Sequence, residues 1–69
     1  MTKYVVLEII DREVNHLVYE TFEEAVEALR EAYEEICSEH TIYNSDIDED
    51  GMCAWANGKF LYDWQIISV

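Results

Sequence analysis

The chain has 69 residues, of which 51% are hydrophobic and none is proline, and it carries 16 Asp and Glu against 4 Lys and Arg. This length allows one domain, residues 1–69, and the apolar content is sufficient for an ordered core. The formal net charge of −12 repels nucleic acids and anionic membranes, so it argues against direct binding to either and favours a basic protein surface as partner.

The N-terminal part predicts a β-hairpin. Residues 3–10 (KYVVLEII) and 14–20 (VNHLVYE) are rich in β-branched and aromatic side chains, and the polar residues 11–13 between them indicate a turn. The start of the chain runs into an acidic residue and a turn without a cleavage-site pattern. We therefore expect a cytoplasmic protein.

A helix is the most clearly marked element. Thr21 and Glu24 form a capping box, in which Thr21 accepts the backbone N–H of Glu24. Apolar residues then recur at three- and four-residue steps as far as about Ser38. These residues are Phe22, Ala25, Val26, Leu29, Ala32, Tyr33 and Ile36. The pattern predicts an amphipathic helix with one buried side.

Three strand-like segments follow the helix: residues 41–44 (TIYN), 52–56 (MCAWA) and 59–69 (KFLYDWQIISV). Asn57 and Gly58 predict a two-residue hairpin turn with positive φ. The element order β-β-α-β-β-β predicts an α+β fold, with a single helix packed on one face of an antiparallel sheet. The sheet has four to five strands, depending on whether the first of the three segments pairs.

The last strand is predicted to have a covered and an uncovered side. By alternation, the side under the helix carries Phe60, Tyr62, Trp64 and Ile66. The opposite side of the sheet has no second helix to cover it, and an uncovered apolar face commonly marks a partner or a homodimer contact. The side chains expected on it are Tyr4, Val6, Leu61 and Ile67.

The segment DIDEDG has part of the pattern of a calcium-binding loop. Asp46, Asp48 and Asp50 match the first three EF-hand ligands, and Gly51 matches the glycine that follows them. The twelfth position is Asn57 instead of a bidentate Glu, and both flanks have strand patterns. An acidic turn is the preferred interpretation. The three aspartates are therefore weak metal candidates, and we expect no cofactor.

No arrangement of residues indicates catalysis, so a non-enzymatic protein is predicted. Cys37 and Cys53 lack the paired spacing of a zinc site, and we expect reduced thiols. His16 and His40 are the only histidines, and neither has a nucleophile at a spacing typical of a catalytic pair. His40 is expected to act as a cation at the end of the helix.

The acids of the helix are the strongest functional signal. Away from the apolar stripe lie Glu20, Glu23, Glu24, Glu27, Glu31, Glu34, Glu35 and Glu39, with Arg30 the only cation. Like charges four residues apart cost about 0.2–0.5 kcal/mol per pair. Over about 30 Å of helix the density is about one net charge per 4 Å, close to the spacing of about 3.4 Å along one nucleic-acid strand. A solvated face that serves only solubility is the alternative.

The acidic segment after the helix extends this surface in our prediction. The predicted partner-binding residues are Glu20, Glu23, Glu24, Glu27, Glu31, Glu34, Glu35, Asp46, Asp48, Glu49 and Asp50. Binding at such a surface is expected to weaken with salt, because charge pairing is screened.

The chain resembles, as a class, short acidic α+β proteins of phages and mobile elements. The resemblance rests on its length and charge, on the helix TFEEAVEALREAYEEICSE and on the hairpin NGKFLYDWQII. This class includes anti-CRISPR and anti-restriction proteins, some of which are DNA mimics. The resemblance implies an inhibitor that occupies the basic nucleic-acid-binding surface of an effector or nuclease, and it transfers no individual site residue. Two other functions stay open: a small structural module that homodimerises through its open sheet face, and calcium binding at residues 46–51.

Overall fold

The computed structural model describes residues 2–69, which form one antiparallel sheet and one helix. In chain order the elements are β1 (Tyr4–Ile10), β2 (Glu13–Tyr19), α1 (Phe22–Glu39), β3 (Ile42–Ile47), β4 (Cys53–Gly58) and β5 (Leu61–Ser68). The strands lie in the order β2-β1-β5-β4-β3, with β5 in the centre and β2 and β3 at the edges. The predicted α+β fold is confirmed, with five strands in the sheet.

The first hairpin is regular and closes with a tight turn. All seven residues of β1 pair with β2, ending at the pair Ile10 and Glu13. The two residues between them, Asp11 (φ 47°) and Arg12 (φ 75°), both have positive φ. A two-residue turn of this kind matches the right-handed twist of the strands, although Asn-Gly is its preferred sequence.

The predicted turn at Asn57 and Gly58 is wrong. Both residues belong to β4, Asn57 pairs with Leu61, and neither is among the positive-φ positions of the chain. The Gly58 N–H instead donates to the carbonyl of Phe60 at 3.1 Å. Gly58 is required for another reason, since an added Cβ would collide with the carbonyl oxygen of Thr41 on the neighbouring segment.

The core lies between α1 and the three inner strands of the sheet. Its buried residues are Val6, Ala25, Leu29, Ala54, Ala56, Tyr62, Trp64 and Ile66. The Trp64 ring is fully buried, stacks on Tyr62 at 6.0 Å and meets the ring of Tyr33 edge-on at 5.9 Å. The predicted apolar stripe of α1 and the covered side of the last strand are therefore confirmed, except that Phe60 is exposed at the end of the sheet.

The predicted open side of the sheet is partly wrong. Val6 is buried in the core, and the ring of Tyr4 contacts Phe22 of α1 at 5.6 Å, so both residues face the helix. Leu61 and Ile67 do lie on the uncovered side and are exposed. The apolar side chains on this side, termed the open face, are Val5, Leu7, Ile9, Val14, Val18, Trp55, Leu61 and Ile67.

Candidate functional site on the acidic helix

The start of α1 fixes which residues of the helix point into solvent. Thr21 is the N-cap: its Oγ1 accepts the backbone N–H of Glu24 at 3.2 Å and donates to the Glu24 carboxylate at 2.9 Å. Ala25 and Leu29 are fully buried against the sheet, so the residues on the other side of the helix face outward. The capping interaction predicted for Thr21 is therefore present.

We define the acidic surface as the six exposed glutamates of α1 up to Glu35, together with one aspartate of the turn between β3 and β4. Its members are Glu23, Glu24, Glu27, Glu31, Glu34, Glu35 and Asp50. The 18 residues of α1 span about 27 Å. Glu39 ends the helix, and its last turn contains no basic residue. α1 is the only helix within residues 2–69, and it is not apolar enough to cross a membrane.

A groove with an apolar floor runs along one side of this surface. Phe22 and Val26, both half-buried, line it together with the acidic residues and Arg30. The acids that line it are Glu23, Glu27, Glu31, Glu34 and Asp50. Lys and Arg side chains have apolar stems and charged ends. A basic side chain can therefore lie over the floor while its charged end reaches a carboxylate.

Asp50 reaches the helix because the turn that contains it packs against α1. The carbonyl of Asp48 accepts the Gly51 N–H at 3.0 Å, and Gly51 is buried with φ 73°. An added Cβ on Gly51 would come within 2.8 Å of Val26 Cγ1. Glycine is required here both by the backbone conformation and by the close approach to the helix.

The other predicted partner-binding acids are not all on the same side of the molecule. Glu20 is exposed just before the N-cap, and Asp48 and Glu49 are exposed beside the turn. Asp46 lies on the open side of the sheet, because the adjacent Ile47 packs against the core and successive strand residues alternate. Asp46 therefore cannot share a flat contact with the acidic surface of α1.

The three calcium candidates are not gathered into a site. Asp46 and Asp50 lie on opposite sides of the sheet, and the flanking elements β3 and β4 are strands, not the helices of an EF-hand. Within residues 2–69, no group of three or more His, Cys, Asp or Glu side chains is positioned to hold a metal ion. Residues 48–51 form an acidic turn, whereas Asp46 belongs to β3.

The two cysteines are free thiols on different sides of the sheet. Cys37 packs against the core from α1. Cys53 is exposed and lies opposite Gln65 on the open side of the sheet. The two sulfur atoms therefore lie on opposite sides of the sheet and are not bonded to each other. His40 is the C-cap of α1 and donates its backbone N–H to Ile36 at 3.0 Å, which places it at the helix end as predicted.

One acid has a structural contact that the sequence interpretation missed. Glu8 is half-buried on the helix side of β1, where its carboxylate accepts the indole N–H of Trp64 at 2.8 Å. It lines a small cleft with Leu17 and Tyr19. The sequence does contain a signal for the side of β1 on which Glu8 lies. Glu8 follows the buried Val6 by two residues, and alternate residues share a side of a strand. Glu8 does not belong to the acidic surface.

No family model, no curated protein and no solved structure matches the chain. A function can therefore be proposed only from the chemistry of the acidic surface. A row of carboxylates beside an apolar floor accepts charge-assisted hydrogen bonds, which are about twice as strong as neutral ones. Guanidinium and ammonium groups of another protein are the matching donors.

Proposed function

We propose that this protein is a non-enzymatic inhibitor that binds the basic nucleic-acid-binding surface of another protein. The observation that carries the proposal is the acidic surface: its acids are exposed along one side of a single helix, and Arg30 is the only cation among the residues of α1. The sequence resembles, as a class, the anti-CRISPR and anti-restriction proteins of phages, some of which act in this manner as DNA mimics.

The spacing of the glutamates supports a role in binding over a role in stability. Glu23, Glu27, Glu31 and Glu35 follow one another at four-residue steps, so each successive pair costs about 0.2–0.5 kcal/mol through repulsion. A helix surface that serves only stability and solubility would alternate acids with Lys or Arg. Retaining the repulsive row is understandable where a basic partner relieves the repulsion on binding.

The shape of the surface fits a protein that normally holds a nucleic-acid strand. The seven glutamates of α1 less Arg30 give six net negative charges over about 27 Å, about one per 4.5 Å, against about one per 3.4 Å along one nucleic-acid strand. Proteins that hold nucleic acids do so largely through Lys and Arg side chains on the phosphates. The same side chains can pair with the carboxylates and lie over Phe22 and Val26 in the groove.

The proposed partner is a nucleic-acid-binding effector or nuclease in the cytoplasm. Competition with DNA or RNA for the same basic groove is the proposed mechanism of inhibition. Electrostatic attraction between the acidic chain and a basic groove also raises the rate of association. No metal, cofactor or catalytic residue is required of this chain.

The test is capture of partners from bacterial lysate on the immobilised protein, followed by mass spectrometry. We expect nucleic-acid-binding proteins to be retained, and to be released by competing duplex DNA or by salt. Replacing Glu27, Glu31, Glu34 and Glu35 by Gln, which changes the charge and hardly the size, should abolish this retention.

A matched control has the same net charge but an intact acidic surface. It carries Asp11→Asn, Glu13→Gln, Asp46→Asn and Asp63→Asn, all outside α1. Retention by the control and loss with the helix variant support the proposal. Equal retention by both variants, or retained proteins that duplex DNA does not displace, would contradict it.

A further inference from the structure

We propose that two copies of this chain associate through the free edge of β2, forming an antiparallel β2–β2 pair centred on His16. The pairing joins two five-stranded sheets into one continuous sheet. This inference rests on the backbone and on the exposed side chains of β2. It does not depend on the proposed inhibitor function.

The two edges of the sheet differ in how they are protected. Natural proteins protect edge strands with bulges, charges, proline or a covering element. β3 has an irregular register between Ile42 and Asn44 and carries Asp46, with Asp48 directly after it. β2 pairs with β1 without a shift over seven residues, and its only acid is Glu13 at the first position. β2 is therefore the edge open to a further strand.

The tight turn at Asp11 and Arg12 sets the direction of the backbone groups of β2. In such a turn the N–H of Glu13 bonds back to the carbonyl of Ile10. Antiparallel strands then alternate, so every second residue of β2 bonds to β1 and the residues between them direct N–H and C=O outward. The outward residues are Val14, His16 and Val18. These backbone groups are free to bond to another strand.

This set of outward residues is symmetric about its centre. A two-fold axis at His16 places each Val14 opposite Val18 of the second copy, and His16 opposite itself. Each of the three residues then gives and accepts a backbone hydrogen bond, for about six bonds across the pair. Residues directly opposite in an antiparallel pair have side chains in contact, and β-branched pairs of this kind are favourable.

The apolar side chains of β2 provide the remaining reason for association. Residues 13–18 are all exposed, because α1 lies over the inner strands and leaves β2 largely uncovered. Val14 is 61% exposed, Leu17 62% and Val18 54%. Exposed apolar side chains on a long, regular edge strand are the usual mark of a strand that pairs with another chain.

Packing of two open faces against each other is a less suitable mode of association. The half-buried Asp63 lies between Trp55 and Ile9 in the middle of this face, and Asp46 lies across from Trp55. Face-to-face packing would remove these two carboxylates from water, which is costly unless each of them is paired. Edge pairing leaves both in water.

Edge pairing also determines where the two helices lie. An antiparallel pair has its two-fold axis perpendicular to the sheet, so both copies of α1 are on the same side. α1 is centred between β1 and β5, about two strand spacings from the two-fold axis. The two helices are therefore about four spacings, or about 20 Å, apart. The dimer thus presents two parallel rows of glutamates on one side.

Sedimentation equilibrium of the purified chain tests the proposal. At about 100 µM, where weak interfaces populate dimers, we expect a mass approaching twice the 8.2 kDa of the chain. His16→Pro removes an outward N–H that no bond to β1 uses, and proline is tolerated at such edge positions. We expect it to weaken self-association at least about tenfold. His16→Ala, which keeps the N–H, should still dimerise.

Two further variants keep the test decisive if proline disturbs the fold, which circular dichroism monitors. Val18→Lys places a charge beside the proposed pair and should also weaken association. Leu61→Lys changes an exposed residue of the open face on a central strand and should leave the dimer intact. A monomeric wild-type chain, or dissociation by Leu61→Lys, would overturn the proposal, the second result in favour of face-to-face packing.

Discussion

The two sides of α1 affect the stability of the fold in opposite directions. On the buried side, Ala25 and Leu29 are packed without exposure against the sheet, which stabilises the fold. On the outer side, Glu27, Glu31 and Glu35 are spaced so that each repels the next. One side of the helix therefore stabilises the fold, and the other side lowers its stability. Substitutions should change stability in opposite directions on the two sides, and only the outer side should affect partner binding.

The largest effect is expected on the buried side. Leu29→Ala removes a fully buried side chain and should cost about 2–5 kcal/mol. A domain of this size has only about 3–10 kcal/mol of stability, so this substitution should remove a large part of the free energy of unfolding. Urea denaturation measures the loss. The control Leu61→Ala, at a position that is 66% exposed, should change stability by less than about 0.5 kcal/mol.

A smaller loss is expected where the acidic turn meets the helix. Gly51→Ala introduces a side chain at φ 73° and in contact with Val26, which should cost about 1–2 kcal/mol. In the double variant with Val26→Ala, the clash with Val26 is removed, and only the cost of the positive φ at residue 51 remains. A double-mutant cycle should therefore give a favourable coupling. Strictly additive losses would show that the turn does not pack against α1 as described.

The smallest effect has the opposite sign. Glu31→Lys replaces two repulsive pairs, with Glu27 and Glu35, by attractive ones, and should raise stability by about 0.5–1 kcal/mol at low salt. Glu31→Gln should give about half of this gain. Both gains should shrink in 1 M salt, because exposed charges are screened. A loss of stability in either variant would contradict the account of the outer side of α1.

Much of the fold was predictable because local signals and the overall fold agree. The Thr21 cap and the apolar stripe are both present in the structure. The assignment of Tyr4 and Val6 failed, because β1 is apolar on both sides and alternation does not tell which side a helix covers. The turn at Asn57 and Gly58 failed because Gly58 is required by its contact with Thr41, which no local pattern reveals.

The candidate site was predictable in its helical part only. Helical periodicity places the glutamates of α1 on one side from sequence alone. The position of Asp50 depends on Gly51 packing against Val26, and that of Asp46 on the register of β3. Both positions depend on tertiary structure, so the sequence alone does not show which acids of residues 46–50 lie on which side of the sheet.

The salt dependence of partner binding tests the central claim most directly. With a captured partner, isothermal titration or surface-based binding would compare the wild-type chain with the Glu27, Glu31, Glu34 and Glu35 to Gln variant from low to high salt. We expect wild-type affinity to fall steeply with salt. The variant should bind at least about 100-fold more weakly at low salt and depend little on it. Equal affinity and an equal salt slope for both chains would contradict the claim that the acidic surface of α1 is the binding site.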